Sequence, residues 1–212
     1  MSERLLLIAT RNAGKAKEIS TILSDGPYKI VFPDDIGIRE TRDEERIEVG
    51  ETFEVNARLK AEYFSRLSNL PTAADDSGLE VFALAGKPGV KSRRFAEFEG
   101  PPGQQDRANS DELLRRLAGL PQAKRRARYR CSVVYVPRRD APSVTFEGIC
   151  SGRILDGSQG TNGFGYDPLF WSDDLEEGFG LVDPVEKDRV SHRGRAFRAF
   201  ADWLKKQDRA SS

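Results

Sequence analysis

The chain has no net charge to offer a polyanion. Its 212 residues hold 34 Lys plus Arg against 34 Asp plus Glu, whereas a duplex nucleic acid as main partner calls for a clear positive excess. It also lacks any apolar run near the about 18 residues that a membrane-spanning helix needs. The opening Met1-Ser2-Glu3-Arg4-Leu5 leads at once into an apolar stretch, without the longer apolar region and cleavage site of an export signal. These absences predict a cytoplasmic protein whose partner is neither a nucleic-acid polymer nor a membrane. Cysteine is scarce, with only Cys131 and Cys150. A hairpin turning at Asp140-Ala141 would bring the two close together, but thiols in a reducing compartment stay reduced, so two buried thiols are expected. Histidine occurs once, at His192, and a lone histidine is more often structural than catalytic.

What is present is a mixed α/β pattern of a length that fits one large or two-lobed domain. Residues 4–9 read as a buried strand and 16–23 as a helix with Ile19, Ile22 and Leu23 inward. A short strand at 28–32 precedes the acidic stretch 34–51. Thr52 then caps a helix whose stripe is Phe53, Ala57, Ala61, Phe64 and Leu67, stopped by Pro71. Residues 72–74 and 79–84 read as extended segments on either side of an acidic pair. A Gly-, Pro- and Arg-rich loop is expected over 86–102 and a helix over 110–117. Strands are expected at 127–136 and 144–154 as an antiparallel pair, and again at 169–171, after a glycine-rich loop at 157–168. Ser191 caps a final helix with Phe197, Phe200, Ala201 and Leu204 on one face, and 208–212 reads as a frayed tail.

Five short segments carry the chemistry. Thr10-Arg11-Asn12-Ala13-Gly14-Lys15 follows the first strand and opens a helix. The first-turn amides there lack internal partners and carry the positive end of the dipole, so Lys15 and Lys17 are misplaced unless an anion binds. The loop is not a Walker A motif, since its first glycine is missing and Ala16 follows the lysine. A plain strand-to-helix turn with solvated lysines fits the same residues. In Ala74-Asp75-Asp76-Ser77-Gly78, two adjacent carboxylates suit a divalent metal; in extended backbone they point to opposite faces, so one faces the site. The alternative is an Asp-Ser-Gly turn. Asn56 and Lys60 lie four apart on the second helix, with Lys60 angled toward the core side, where it needs an anion or must snorkel. Gly163-Phe164-Gly165-Tyr166-Asp167-Pro168 sets two aromatics in flexible backbone, as a stacking platform for a base or as a turn with core aromatics. Ser191-His192-Arg193-Gly194, preceded by Lys187, reads as a donor cluster at a helix start.

In this order, with Thr52-Phe53-Glu54-Val55-Asn56-Ala57 before Lys60, these motifs closely resemble the Ham1/RdgB family of inosine and xanthosine triphosphate pyrophosphatases, over about 5–204. The resemblance implies hydrolysis of ITP, dITP and XTP to the monophosphate and pyrophosphate. It further implies Mg2+, a homodimer, and an elongated mixed sheet with flanking helices in two lobes around a central cleft, the second lobe spanning roughly 125–175. By motif position, Asp76 is the proton acceptor and a metal ligand, and Glu48 a further acid of the metal site. Substrate contacts fall to Thr10, Arg11, Asn12, Ala13, Gly14, Lys15, Lys60 and Ser77, and to Phe164, Gly165, Tyr166, Asp167, Lys187, His192 and Arg193. The 6-oxo group of hypoxanthine and xanthine is an acceptor that His192, Arg193 or backbone amides can read. One departure stands out: Val55 fills a place where the family often has a second acid, so Glu48 or Glu54 must compensate if that acid helps the metal. Two other classes remain open, a metal-dependent phosphomonoesterase releasing orthophosphate and a non-catalytic nucleotide sensor; the intact acidic pair argues against the sensor.

Overall fold

The structure, a computed structural model, describes residues 4–44, 47, 49–101 and 103–210. Seven strands form one mixed sheet: β1 (Leu5–Ile8), β2 (Lys29–Val31), β3 (Thr72–Val81), β4 (Arg126–Val136), β5 (Val144–Ile154), β6 (Phe170–Ser172) and β7 (Glu177–Gly178). Their order is β2-β1-β3-β4-β5-β6-β7. β1 pairs in parallel with β2 and β3, and β6 runs antiparallel to β5 and β7. The helices are α1 (Ala13–Leu23), α2 (Phe53–Ser68), α3 (Gln105–Arg116), α4 (Pro184–Val190) and α5 (His192–Ala210). None of the described helices is long and apolar enough to cross a membrane.

The chain divides into two compact units. The first takes Met1–Asp76, Cys131–Gly148 and Arg193–Ser212; the second takes Ser77–Arg130 and Ile149–His192. In the first unit, side-chain alternation along the strands sorts the core into two layers. Leu6, Ile8, Ala73, Cys131, Val133 and Tyr135 pack with Ile19 and Leu23 of α1 and with Phe197, Phe200 and Leu204 of α5. The intervening residues Leu7, Ala9, Ala74, Val134 and Val136 pack with Ala57, Ala61 and Phe64 of α2. The second unit has a single core, in which Leu79, Tyr129, Ile154, Phe170 and Phe179 meet Leu113 and Leu117.

Several expectations change. The acidic pair does not interrupt the sheet: β3 runs without a break from Thr72 to Val81, so Ser77 and Gly78 are extended and form no turn. Both carboxylates find partners in the flanking layers, which lets the strand continue through them. Asn12 caps α1 by accepting from the Lys15 amide at 2.9 Å, so that helix starts three residues before the expected 16. Leu67 is exposed; the buried stripe of α2 ends with Phe64 and Ser65, and Asn69 in left-handed backbone closes the helix ahead of Pro71. The expected loop at 86–102 contains a 3-10 turn, Gly89–Arg94, and α3 begins at Gln105 rather than 110. Its first two turns are polar and give no apolar periodicity to read. α4 and β7 lie in sequence that carried no expectation. The closing helix continues to Ala210, through residues expected to fray, and Asp208 accepts from Arg4 at 2.5 Å; residues 211–212 lie outside the described ones. Cys131 and Cys150 are buried free thiols, as expected.

Asn109 explains why α3 starts early. It is 2% exposed. Its Oδ1 accepts from the Phe95 and Ala96 amides at 3.0 and 2.9 Å and from Gln105 Nε2 at 3.0 Å, while Nδ2 donates to Arg93 O at 3.0 Å. Asn109→Ala leaves these groups without their partner and should cost about 2 kcal/mol in urea unfolding. A loss too small to resolve would show that the network is incidental.

Candidate active site

The parity of β3 decides what each aspartate meets. Asp75 shares a face with Ala73, toward α1 and α5; Asp76 shares the opposite face with Ala74, toward α2. On the first face, Lys15 Nζ lies 2.8 Å from Asp75 Oδ2, and Arg193 Nε lies 3.5 Å from the same oxygen. Glu18, one turn beyond Lys15, takes Arg193 Nη1 at 2.5 Å. Lys15, Glu18, Asp75 and Arg193 thus form a neutral quartet in which Asp75 and Arg193 are almost fully buried. Burial opposes ionisation of Asp75, but Lys15, Arg193 and Lys60 together hold its carboxyl well below the usual range. Burial likewise disfavours the Arg193 charge, and Asp75 and Glu18 more than restore it. Cys131 Sγ sits 3.9 Å from Asp75 Oδ2; burial, and secondly the Asp75 charge, push its thiol up, so it stays protonated.

On the second face, Asn56 Nδ2 donates to Asp76 Oδ2 at 3.0 Å. Asn56 is itself oriented, because its Oδ1 accepts from the Gly50 amide at 2.7 Å. A Cβ on Gly50 would lie 2.8 Å from that oxygen, so glycine permits the close approach. Thr52 caps α2 by accepting from the Val55 amide, which fixes the turn that carries Asn56. Glu54 is held by Arg58 at 2.5 Å, and Val55 is exposed. Glu48 lies outside the described residues.

The first loop is built mainly around its own helix. Thr10 Oγ1 accepts from the Asn12 amide at 3.3 Å, and Ala13, Gly14 and Lys15 form the first turn of α1. Arg11 is engaged elsewhere: it grips both Glu44 oxygens at 2.7 and 2.8 Å, pairs with Asp34 and reaches Ile38 O at 3.0 Å.

In the second unit, the aromatic loop has a division of labour. Phe164 is half-buried, while Tyr166 and Asp167 are buried. Asp167 Oδ2 accepts from the Phe164 amide at 2.9 Å and from Lys187 Nζ at 3.0 Å. That ammonium also lies 5.2 Å from the centre of the Phe164 ring, a cation–π distance. Tyr166 donates to Ser92 O at 2.9 Å. His192 is buried and stacks on Tyr129, with centroids 4.6 Å apart and planes 9° from parallel. Ser77 is half-buried in β3.

Sequence reasoning missed Glu18, Glu44 and Tyr129. The position of Glu18, three residues past Lys15 on one helix, was the available signal for the first; the other two depend on distant contacts. Among the described residues no group of three or more His, Cys, Asp or Glu could hold a metal ion. The donor set still fits Mg2+, a hard cation that commonly takes one or two carboxylates and fills its remaining positions with substrate phosphates and water. Asp76 is a buried, oriented carboxylate of the right kind.

The Ham1 family model matches residues 6–203. A dITP/XTP pyrophosphatase of Bacillus cereus is 42% identical over 204 residues, covering 96% of either chain. The Ham1 protein of Staphylococcus aureus superposes with a TM-score of 0.80 at 35% identity, over 96% of this chain and 100% of its own. The HAM1 protein of Coxiella burnetii gives 0.83 at 29% identity, over 96% and 99%.

Proposed function

The chain belongs to the Ham1 family, and we propose that it hydrolyses the non-canonical purine nucleoside triphosphates dITP, ITP and XTP to the monophosphate and pyrophosphate. The observation that carries the reading is the division of the acidic pair: Asp75 is occupied by Lys15 and Arg193, and Asp76 is held in place by the neutral amide of Asn56. That hydrogen bond fixes the orientation of the Asp76 carboxylate, as is needed of a group that takes a proton from a positioned water.

In this mechanism Asp76 orients a water and accepts its proton as the water oxygen bonds to the α-phosphorus. The bond from that phosphorus to the α–β bridging oxygen breaks, and pyrophosphate leaves with the electron pair. Lys15 and Lys60 offset the charge that grows on the phosphate oxygens. Asp76 would hold Mg2+, with Glu48 as a second oxygen donor. Bound there, the ion would supply positive charge to offset that of the phosphate oxygens. Phe164 stacks on the purine, and His192, Arg193 or loop amides read its 6-oxo edge. The working form is a homodimer in the cytoplasm.

Supplied with dITP and Mg2+, the protein should release dIMP and pyrophosphate in equal amounts, as resolved by anion-exchange chromatography without added pyrophosphatase. Release of orthophosphate with transient dIDP would instead support the phosphomonoesterase reading. Binding of dITP without any product would support a sensor.

A further inference from the structure

The loop that carries Phe164 is held by an acidic side chain from outside its own motif. Gly163 and Gly165 flank Phe164 in left-handed backbone, with φ of 77° and 61°. The Gly165 amide donates to Asp106 Oδ2 at 3.1 Å. Asp106 lies in the first turn of α3, where a carboxylate also meets the positive end of the helix dipole. The helix that carries it is anchored one turn later by the Asn109 network. The acceptor is therefore mounted on a fixed element. The Tyr166 phenol is pushed up by burial and then by the Asp106 charge, which agrees with a carboxylate lying over this loop.

We propose that Asp106 is a positioning residue for purine recognition, fixing the Gly165 amide and through it the plane in which Phe164 offers its ring. The inference rests on the reading of Phe164 as the stacking partner. Other ties act on the same loop, and one of them, from the Asp167 amide to the Phe164 carbonyl at 3.2 Å, holds the opposite side of the peptide that follows Phe164. Asp167 holds the amide before the Phe164 side chain, and the Tyr166 hydroxyl fixes the core end. Asp106 holds the peptide that follows Phe164. Glycine adopts positive and negative φ almost equally well, so without that acceptor the peptide between 164 and 165 is tied only through the Phe164 carbonyl, and the ring is held less firmly in one orientation. Asp106 touches no reacting atom, so its loss acts on base affinity and not on bond cleavage.

The test uses Asp106→Ala, Asp106→Asn and Phe164→Ala in steady-state hydrolysis of dITP, with inorganic tripolyphosphate as a baseless competitive inhibitor. Asp106→Ala should raise KM about three- to tenfold, the worth of one net hydrogen bond. Its kcat and its inhibition by tripolyphosphate should stay at the parent values. Asp106→Asn keeps an acceptor oxygen and should restore KM, which a general loss of helix stability would not predict. Phe164→Ala should raise KM at least as much, and adding Asp106→Ala to it should change nothing further. If Phe164→Ala raises KM and Asp106→Ala does not, the positioning role is overturned while the stacking reading stands. If Phe164→Ala leaves KM unchanged, the stacking reading falls and this proposal with it. Equal weakening of dITP and tripolyphosphate by Asp106→Ala would also overturn it, since the effect would then not concern the base.

Discussion

Asp76→Asn should remove turnover and leave the fold intact. Asparagine keeps the shape of the side chain, so the contact with Asn56 can re-form through the new amide oxygen. What is lost is a basic oxygen and the charge that would bind Mg2+. Removing a positioned general base commonly costs about 10² to 10⁴ in rate, and loss of the metal's carboxylate adds to that. The effect should fall on kcat for dITP, with the thermal unfolding midpoint close to that of the parent. Activity within a few-fold of the parent would show that a different group takes the proton.

Asp75→Asn should have the opposite profile, with its largest effect on stability. The carboxylate is 1% exposed and answers two cations, Lys15 and the nearly buried Arg193. Breaking a buried ion pair by removing one partner leaves charge uncompensated and costs about 3–5 kcal/mol. Urea unfolding in the presence of a chelator is the measurement. The folded carboxyl titrates below its ordinary value. Its contribution is therefore complete above about pH 4, where an unfolded aspartate has ionised, and is lost as the pH falls through the lower folded value. The stability gap between parent and Asp75→Asn should accordingly narrow below about pH 4. A gap that is absent at neutral pH would mean that Glu18 alone suffices for Arg193.

The two aspartates also show how far the sequence can be read. Strand alternation alone says that Asp75 and Asp76 face opposite ways. It does not say which face holds the cations, because Lys15, Arg193 and Asn56 come from three distant helices whose packing only the tertiary structure reveals. The same limit explains the expected break in β3: two adjacent acids argue for a turn unless partners are waiting in both layers. Local signals served well where the cause is local. Thr52 caps α2 as expected, and Phe197, Phe200, Ala201 and Leu204 form the buried face of α5. They failed where a polar side chain organises structure at a distance, as Asn109 does for the start of α3, or Asp106 for the aromatic loop. Arg11 belongs to the phosphate-loop motif by sequence, yet its guanidinium is fastened to Glu44 and Asp34, a destination that no short motif encodes.

The quartet of Lys15, Glu18, Asp75 and Arg193 has a consequence for synthesis of the chain. Its four charges come from three segments far apart in order of translation, and the last of them arrives together with Phe197, Phe200 and Leu204 of the surrounding core. A nascent chain that has already made β1, α1 and β3 still lacks the helix that covers them. Until α5 leaves the ribosome, Asp75 lacks Arg193 and an apolar face stays wet. The first unit can therefore close only after translation has passed residue 204, whereas the second unit, drawn entirely from residues 77–192, is free to condense earlier, in the order in which domains emerge during synthesis.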